Sequence, residues 1–145
     1  MPQIKGFVSK KVKTDKNIKK KKELIMMNVN KYFDKVDDDK KELIKKVITN
    51  KSSLSIHDIN SFITDISKNN NIFVNGEHVY SYFKTVSKTF GKENFEIFKR
   101  GTKITYSFNK VTEEFQTTVS QLNFFKWLDQ NKILDFILMH TKLEK

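Results

Sequence analysis

Apolar residues recur along most of this chain at helical spacing, and the breaks in that recurrence divide it into elements. Leu24, Met27, Tyr32, Phe33 and Val36, with Ile25 beside them, fall near a 3.6-residue period and predict a helix starting at Glu23. Leu43, Ile44, Val47 and Ile48 form a second stripe, with Asp39 as its N-cap, Glu42 at the capping-box position and Asn50 beyond its end. A third stripe, Ile56, Ile59, Phe62, Ile63 and Ile66, follows Ser55, with Asp58 three residues on. Val79, Tyr82, Phe83, Val86 and Phe90 predict a fourth helix, stopped by Gly91. Two signals compete just ahead of it. Asn75-Gly76 between Ile72-Phe73-Val74 and Glu77-His78-Val79 has the form of a tight hairpin, whereas the helical spacing makes Asn75 a cap for a helix from about Gly76. "KENFEIFKRG" then reads as a short helix with Phe95 and Phe98 inward, ended by Gly101.

The period next changes from 3.6 to 2. "KITYSF" alternates Ile104, Tyr106 and Phe108 with polar residues, and "EFQTTV" alternates Phe115, Thr117 and Val119. The polar "NKVTEE" between them supplies a turn, so one β-hairpin is expected at about 102–119. Ser120 is the expected cap of the helix that follows, with Leu122, Phe125 and Leu128 on one stripe and Phe124 and Trp127 beside it. Ile133, Leu134, Ile137 and Leu138 mark a last helix. The reading is α+β: a mostly helical single domain, 23–145, with one hairpin and a basic, flexible N-terminal tail, 1–22.

Charge sharpens that division. Residues 1–22 hold nine Lys against Asp15 alone, a formal +8 of the chain's +11, leaving +3 for the remainder. A run of like charge without an apolar face is expected to stay unfolded, or to prolong the next helix when a polyanion screens its repulsion. The chain has no Cys, which excludes disulfides, thiolate metal sites and cysteine nucleophiles, and fits a reducing, intracellular compartment. No stretch approaches the roughly 18–20 apolar residues of a membrane span.

The chemistry that the chain lacks narrows its function. His57, His78 and His140 stand far apart, none four residues from another, so no metal is expected. Asp37-Asp38-Asp39 lacks the alternating ligands of a calcium loop and suits a helix start. The four Gly are scattered singly, which excludes a phosphate-cradling loop, and no nucleophile elbow is present. Neither an enzyme nor a cofactor is expected.

Polyanion binding is what the residues do favour. With 27 Lys and one Arg, Arg100, the chain is equipped to neutralise phosphates rather than to read bases. The expected contacts are Lys10, Lys11, Lys13, Lys16, Lys19, Lys20, Lys21 and Lys22 in the tail, with Lys99, Arg100 and Lys103 in the body. Tyr80, Phe124 and Trp127 lie among lysines and could stack on a strand or meet a partner, although a place in the core is the more ordinary fate of such rings. Two alternatives stand beside this reading. The tail could tether a structural protein to an acidic protein or an anionic membrane surface, with or without self-association. Helices at 77–89 and 92–100 followed by the hairpin would also give the order of a winged-helix regulator, with Lys92, Lys99, Arg100 and Lys103 on its nucleic-acid face.

"GEHVYSYFKTVSKTFGKENFEIFKRG" and "TTVSQLNFFKWLDQNKILDFIL" resemble segments of small basic proteins of large nucleocytoplasmic DNA viruses of the mimivirus and iridovirus kind. The resemblance spans residues 72–138 and carries no catalytic motif. It implies a virion or viral-factory protein, in the particle or in the host cytoplasm or nucleus.

Overall fold

A computed structural model describes the backbone of residues 2–108 and 112–144, and the side chains of residues 17, 19–108 and 112–141. Helix α1 runs from Pro2–Phe33, so the basic stretch is continuous in backbone with the first helix of the body. Side chains 1–16 lie outside the described residues, and with them the flexibility expected of the tail. The inward face of α1 is Ile25, Val29 and Phe33, spaced by four. Leu24 and Met27, expected inside, are 58% and 66% exposed. The run Leu24-Ile25-Met26-Met27 points in every direction around a helix, and packing against the rest of the chain selects its phase.

Helix α2 (Asp38–Ile48) is capped by Asp37, whose carboxylate accepts from the Lys40 N–H at 2.9 Å, and not by Asp39. Asp39 instead lies in the first turn, where its charge still meets the positive end of the helix dipole. Helix α3 (Ile56–Ser61) carries the expected capping box of Ser55 and Asp58, with reciprocal bonds of 3.0 and 3.1 Å. It continues through a π-helical turn, Phe62–Ile66, into α4 (Ser67–Asn69).

Both signals around Asn75 are realised, one after the other. Strands β1 (Phe73–Val74) and β2 (Glu77–His78) pair antiparallel across Asn75 and Gly76, whose φ angles of 54° and 82° are those of a type I′ turn. Asn75 therefore turns a hairpin and does not cap the next helix. Helix α5 (Val79–Phe90) is capped by His78, whose Nδ1 accepts from the Ser81 N–H at 3.3 Å. Its Nε2 meets Asn71 Oδ1 at 3.3 Å, which fits the tautomer protonated on Nε2.

The larger hairpin, β3 (Lys103–Tyr106) with β4 (Phe115–Thr118), stands where the alternation placed it, in register Ile104 to Thr117 and Tyr106 to Phe115. Residues 109–111 of its expected turn lie outside the described residues. Helix α6 (Val119–Gln130) follows without a loop, capped by Thr118, whose Oγ1 accepts from the Gln121 N–H at 3.0 Å. Ser120 is already in the first turn, its Oγ 3.1 Å from Thr118 Oγ1. Helix α7 (Ile133–Glu144) packs on α6. Val29 and Phe33 from α1, Ile44 and Val47 from α2, and Leu122, Phe125 and Leu128 from α6 are all in the same core. No helix among the described residues is long and apolar enough to cross a membrane.

A candidate nucleic-acid groove

Residues 92–100 decide the shape of the basic face. They are not helical: the chain makes turns and bends from Gly91 to Thr102. The reason lies in α6, whose polar first turns take the backbone groups a helix would have used. Gln121 Nε2 donates to the Ile97 carbonyl at 2.8 Å, Asn123 Nδ2 donates to the Asn94 carbonyl at 2.9 Å, and the Glu96 N–H donates to the Ser120 carbonyl at 3.3 Å. Phe95 and Ile97 are both buried, an alternation by two, while Phe98 is only half-buried. The winged-helix arrangement loses its second helix, since that arrangement needs a groove-reading helix and this segment has none.

The irregular segment forms one wall of a groove of about 850 Å³. The opposite wall is α1, which contributes Lys19, Lys22, Glu23 and Met26, one face of the helix at spacings of three and four. The floor includes Met26, Ile104 and Val119. Lys92, Glu93 and Arg100, all exposed, stand at its rim, and Glu96 is half-buried in the same lining. Four cations separated by some eighty positions in sequence thus surround a single concavity.

Their surroundings differ. Lys22 Nζ donates to the Glu93 carbonyl oxygen at 2.6 Å and to Asn94 Oδ1 at 3.2 Å. Both acceptors are neutral, so the lysine braces α1 against the irregular segment and keeps its charge uncompensated. Lys19, Lys20 and Lys21 are exposed and form no ion pair with a carboxylate of the described residues. Arg100 is exposed, its guanidinium carbon 5.3 Å from the centre of the Phe98 ring. Lys103 is exposed at the start of β3 and Lys99 half-buried. Lys10, Lys11, Lys13 and Lys16 have side chains outside the described residues.

The aromatic candidates are elsewhere. Phe124 and Trp127 are 2% and 6% exposed, and with Phe83 and Phe95 they make an interior cluster whose ring centres lie 4.8–6.3 Å apart. Their rings are therefore core, closed to a strand or a partner. Tyr80 is half-buried, with Lys68 Nζ 5.4 Å from its ring centre.

A second polar cluster, away from the groove, was not legible in sequence. Tyr32 donates to Asp129 Oδ2 at 2.5 Å, and Lys40 pairs with Asp129 at 3.2 Å and with Asp135. Burial, and then the hydrogen bond and charge of Asp129, push the Tyr32 phenol well above its ordinary range. Burial alone would lower the Lys40 pKa, but the hydrogen bonds and charges of Asp135 and Asp129 outweigh it and raise it. The cluster ties α1 and α2 to α6 and α7. His57 and His140 are exposed and His78 caps α5; among the described residues no group of three or more His, Asp and Glu could hold a metal ion.

A family model described as a family of unknown function, DUF7197, matches residues 7–145. "Uncharacterized protein L507" of Acanthamoeba polyphaga mimivirus is 28% identical, over 84% of this chain and 52% of its own length. The chain thus spans about half the length of that curated relative. No solved structure matches. Similarity to a mimivirus protein agrees with the resemblance to large DNA viruses, and the family match extends well beyond residues 72–138.

Proposed function

The chain belongs to the family of unknown function DUF7197, and on that premise we propose that it is a non-enzymatic nucleic-acid-binding accessory protein of a large DNA virus, indifferent to base sequence along a duplex. One observation carries the reading: Lys19 and Lys22 on α1 converge with Lys92 and Arg100 on one groove, with no carboxylate among the described residues ion-paired to any of them. Lysines left uncompensated are available to displace counterions from phosphates.

Gel shift at low salt with a blunt DNA duplex tests it. Replacing Lys10, Lys11, Lys13, Lys16, Lys19, Lys20 and Lys21 together by Gln is expected to abolish most of the shift; an undiminished shift would refute the reading.

A second reading has an observation of its own. Leu24 and Met27 are exposed on the outer face of α1, flanked at four-residue steps by Lys20 and Lys31. An apolar pair between cations suits tethering to anionic lipid, where each lysine near the surface adds about 1 kcal/mol. Sedimentation with vesicles containing one-third phosphatidylserine separates the two: the tether requires pelleting that Leu24→Ser with Met27→Ser prevents.

A further inference from the structure

The groove is an odd cradle for phosphate alone. Three carboxylates, Glu23, Glu93 and Glu96, share its lining with the cations, and its floor is apolar. Those glutamates offset part of the cations' attraction for a bare polyanion, which would also gain nothing from Met26, Ile104 and Val119. A ligand that satisfies the whole lining carries negative charge at its edge, a flat apolar body and hydrogen-bond donors beyond it. An unpaired nucleotide has that order: phosphate, base face, exocyclic amino group.

Resting on the reading above, we propose that the groove admits an unpaired base of single-stranded nucleic acid, one whose exocyclic amino group donates to a groove glutamate. The base lies against Met26, Ile104 and Val119, as flat rings do in apolar clefts. Lys19, Lys92 and Arg100 hold the flanking phosphates from the rim. Glu96 is the chosen acceptor, because it is half-buried and its own N–H is fixed to the Ser120 carbonyl, whereas Glu23 and Glu93 are exposed. A carboxylate accepts from the N4 amino group of cytosine, and thymine offers no amino group at all. In an intact duplex the base faces are stacked and the pairing edges occupied, so the floor is out of reach. The same protein therefore holds duplexes by charge and single strands by charge and groove together.

Fluorescence anisotropy with the full chain, at pH 7.5 and fixed salt, tests this with three probes of equal length: oligo-dC, oligo-dT and a blunt duplex. The expected order is oligo-dC at least tenfold tighter than oligo-dT, and oligo-dC also tighter than the duplex per phosphate. Glu96→Gln, which keeps shape and removes charge, is expected to bring the dC to dT ratio within about twofold while leaving duplex binding intact or slightly stronger. Met26→Gln, which removes the apolar contact without adding charge and is checked for folding by circular dichroism, is expected to weaken both single strands more than the duplex. Equal affinity for oligo-dC and oligo-dT, or a ratio that Glu96→Gln leaves untouched, would overturn the groove's role and leave duplex binding standing. Failure to bind any of the three would overturn the parent reading as well.

Discussion

Lys40 and Lys22 each leave a helix to reach a distant element, and they end in opposite electrical surroundings. Lys40 meets two carboxylates, Asp129 and Asp135, in a cluster completed by Tyr32. Lys22 meets a backbone carbonyl and an amide oxygen. In the first region charge is consumed by the fold. In the second the fold holds the lysine in place without neutralising it, and exposed Lys19, Lys20 and Lys21 stand beside it. The difference separates lysines that act in stability from lysines available to a partner, a distinction that a net charge of +11 cannot make.

The contrast can be broken experimentally, and the largest effect belongs to the paired region. Asp129→Ala leaves Lys40 and the Tyr32 hydroxyl short of a partner in a largely buried place, and is expected to cost about 3 kcal/mol in urea denaturation. Duplex affinity should be unaffected where the variant is folded. A loss under about 1 kcal/mol would show the cluster to be an ordinary surface pair.

Alkaline titration sharpens the same point. Tyr32 is raised by burial and Asp129, Tyr106 is pushed up to about 12 by burial and the charge of Asp34, and Lys40 is raised by its two partners against its own desolvation. In each case the folded state keeps a proton that the unfolded chain gives up sooner. Their contribution to stability is therefore complete below about pH 10, the ordinary tyrosine value, and is lost as pH rises through the folded values. Lys126, lowered by desolvation, has the opposite slope. Unfolding midpoints measured from pH 8 to 11 should fall above about pH 10, and less steeply in Tyr32→Phe.

In the groove region the expectation reverses. Lys20→Gln with Lys21→Gln should change stability by less than about 0.5 kcal/mol, while the log-log salt slope of duplex binding loses about 2 units. Lys22→Met lies between the two classes in stability and gives the smallest effect on binding. It should cost about 1 kcal/mol through its lost hydrogen bonds, and remove less than 1 unit of salt slope. A Lys22 variant with native stability would mean that the brace between α1 and the irregular segment carries no weight.

Much of the fold was legible because its signals are local. The Ser55–Asp58 capping box, the alternation of β3 and β4, and the stripes of α6 and α7 depend on neighbours within a few residues, and they stand where the sequence placed them. The errors come where distant groups decide. Three consecutive aspartates offer three caps for α2, and Asp37 takes the role that local spacing gave to Asp39. Thr118 outcompetes Ser120 because β4 runs directly into α6. Residues 92–100 have helical content in sequence but spend their backbone groups on Gln121, Asn123 and Ser120, more than twenty positions away. The alternation of Phe95 and Ile97 was the available hint. Of the candidate site, the cations were visible in composition. The glutamates and the apolar floor that share their groove were not, since they become neighbours only on folding.

The central claim is that the positive face formed by α1 and the groove is free for phosphate, and the salt dependence of duplex affinity measures that freedom most directly. With six to eight cations engaged, a plot of log affinity against log salt should have a slope of about −5 to −7, and the sevenfold Lys→Gln protein should retain no more than about −3, from Lys22, Lys92 and Arg100. Parallel lines for the two proteins would mean that those lysines do not touch the nucleic acid.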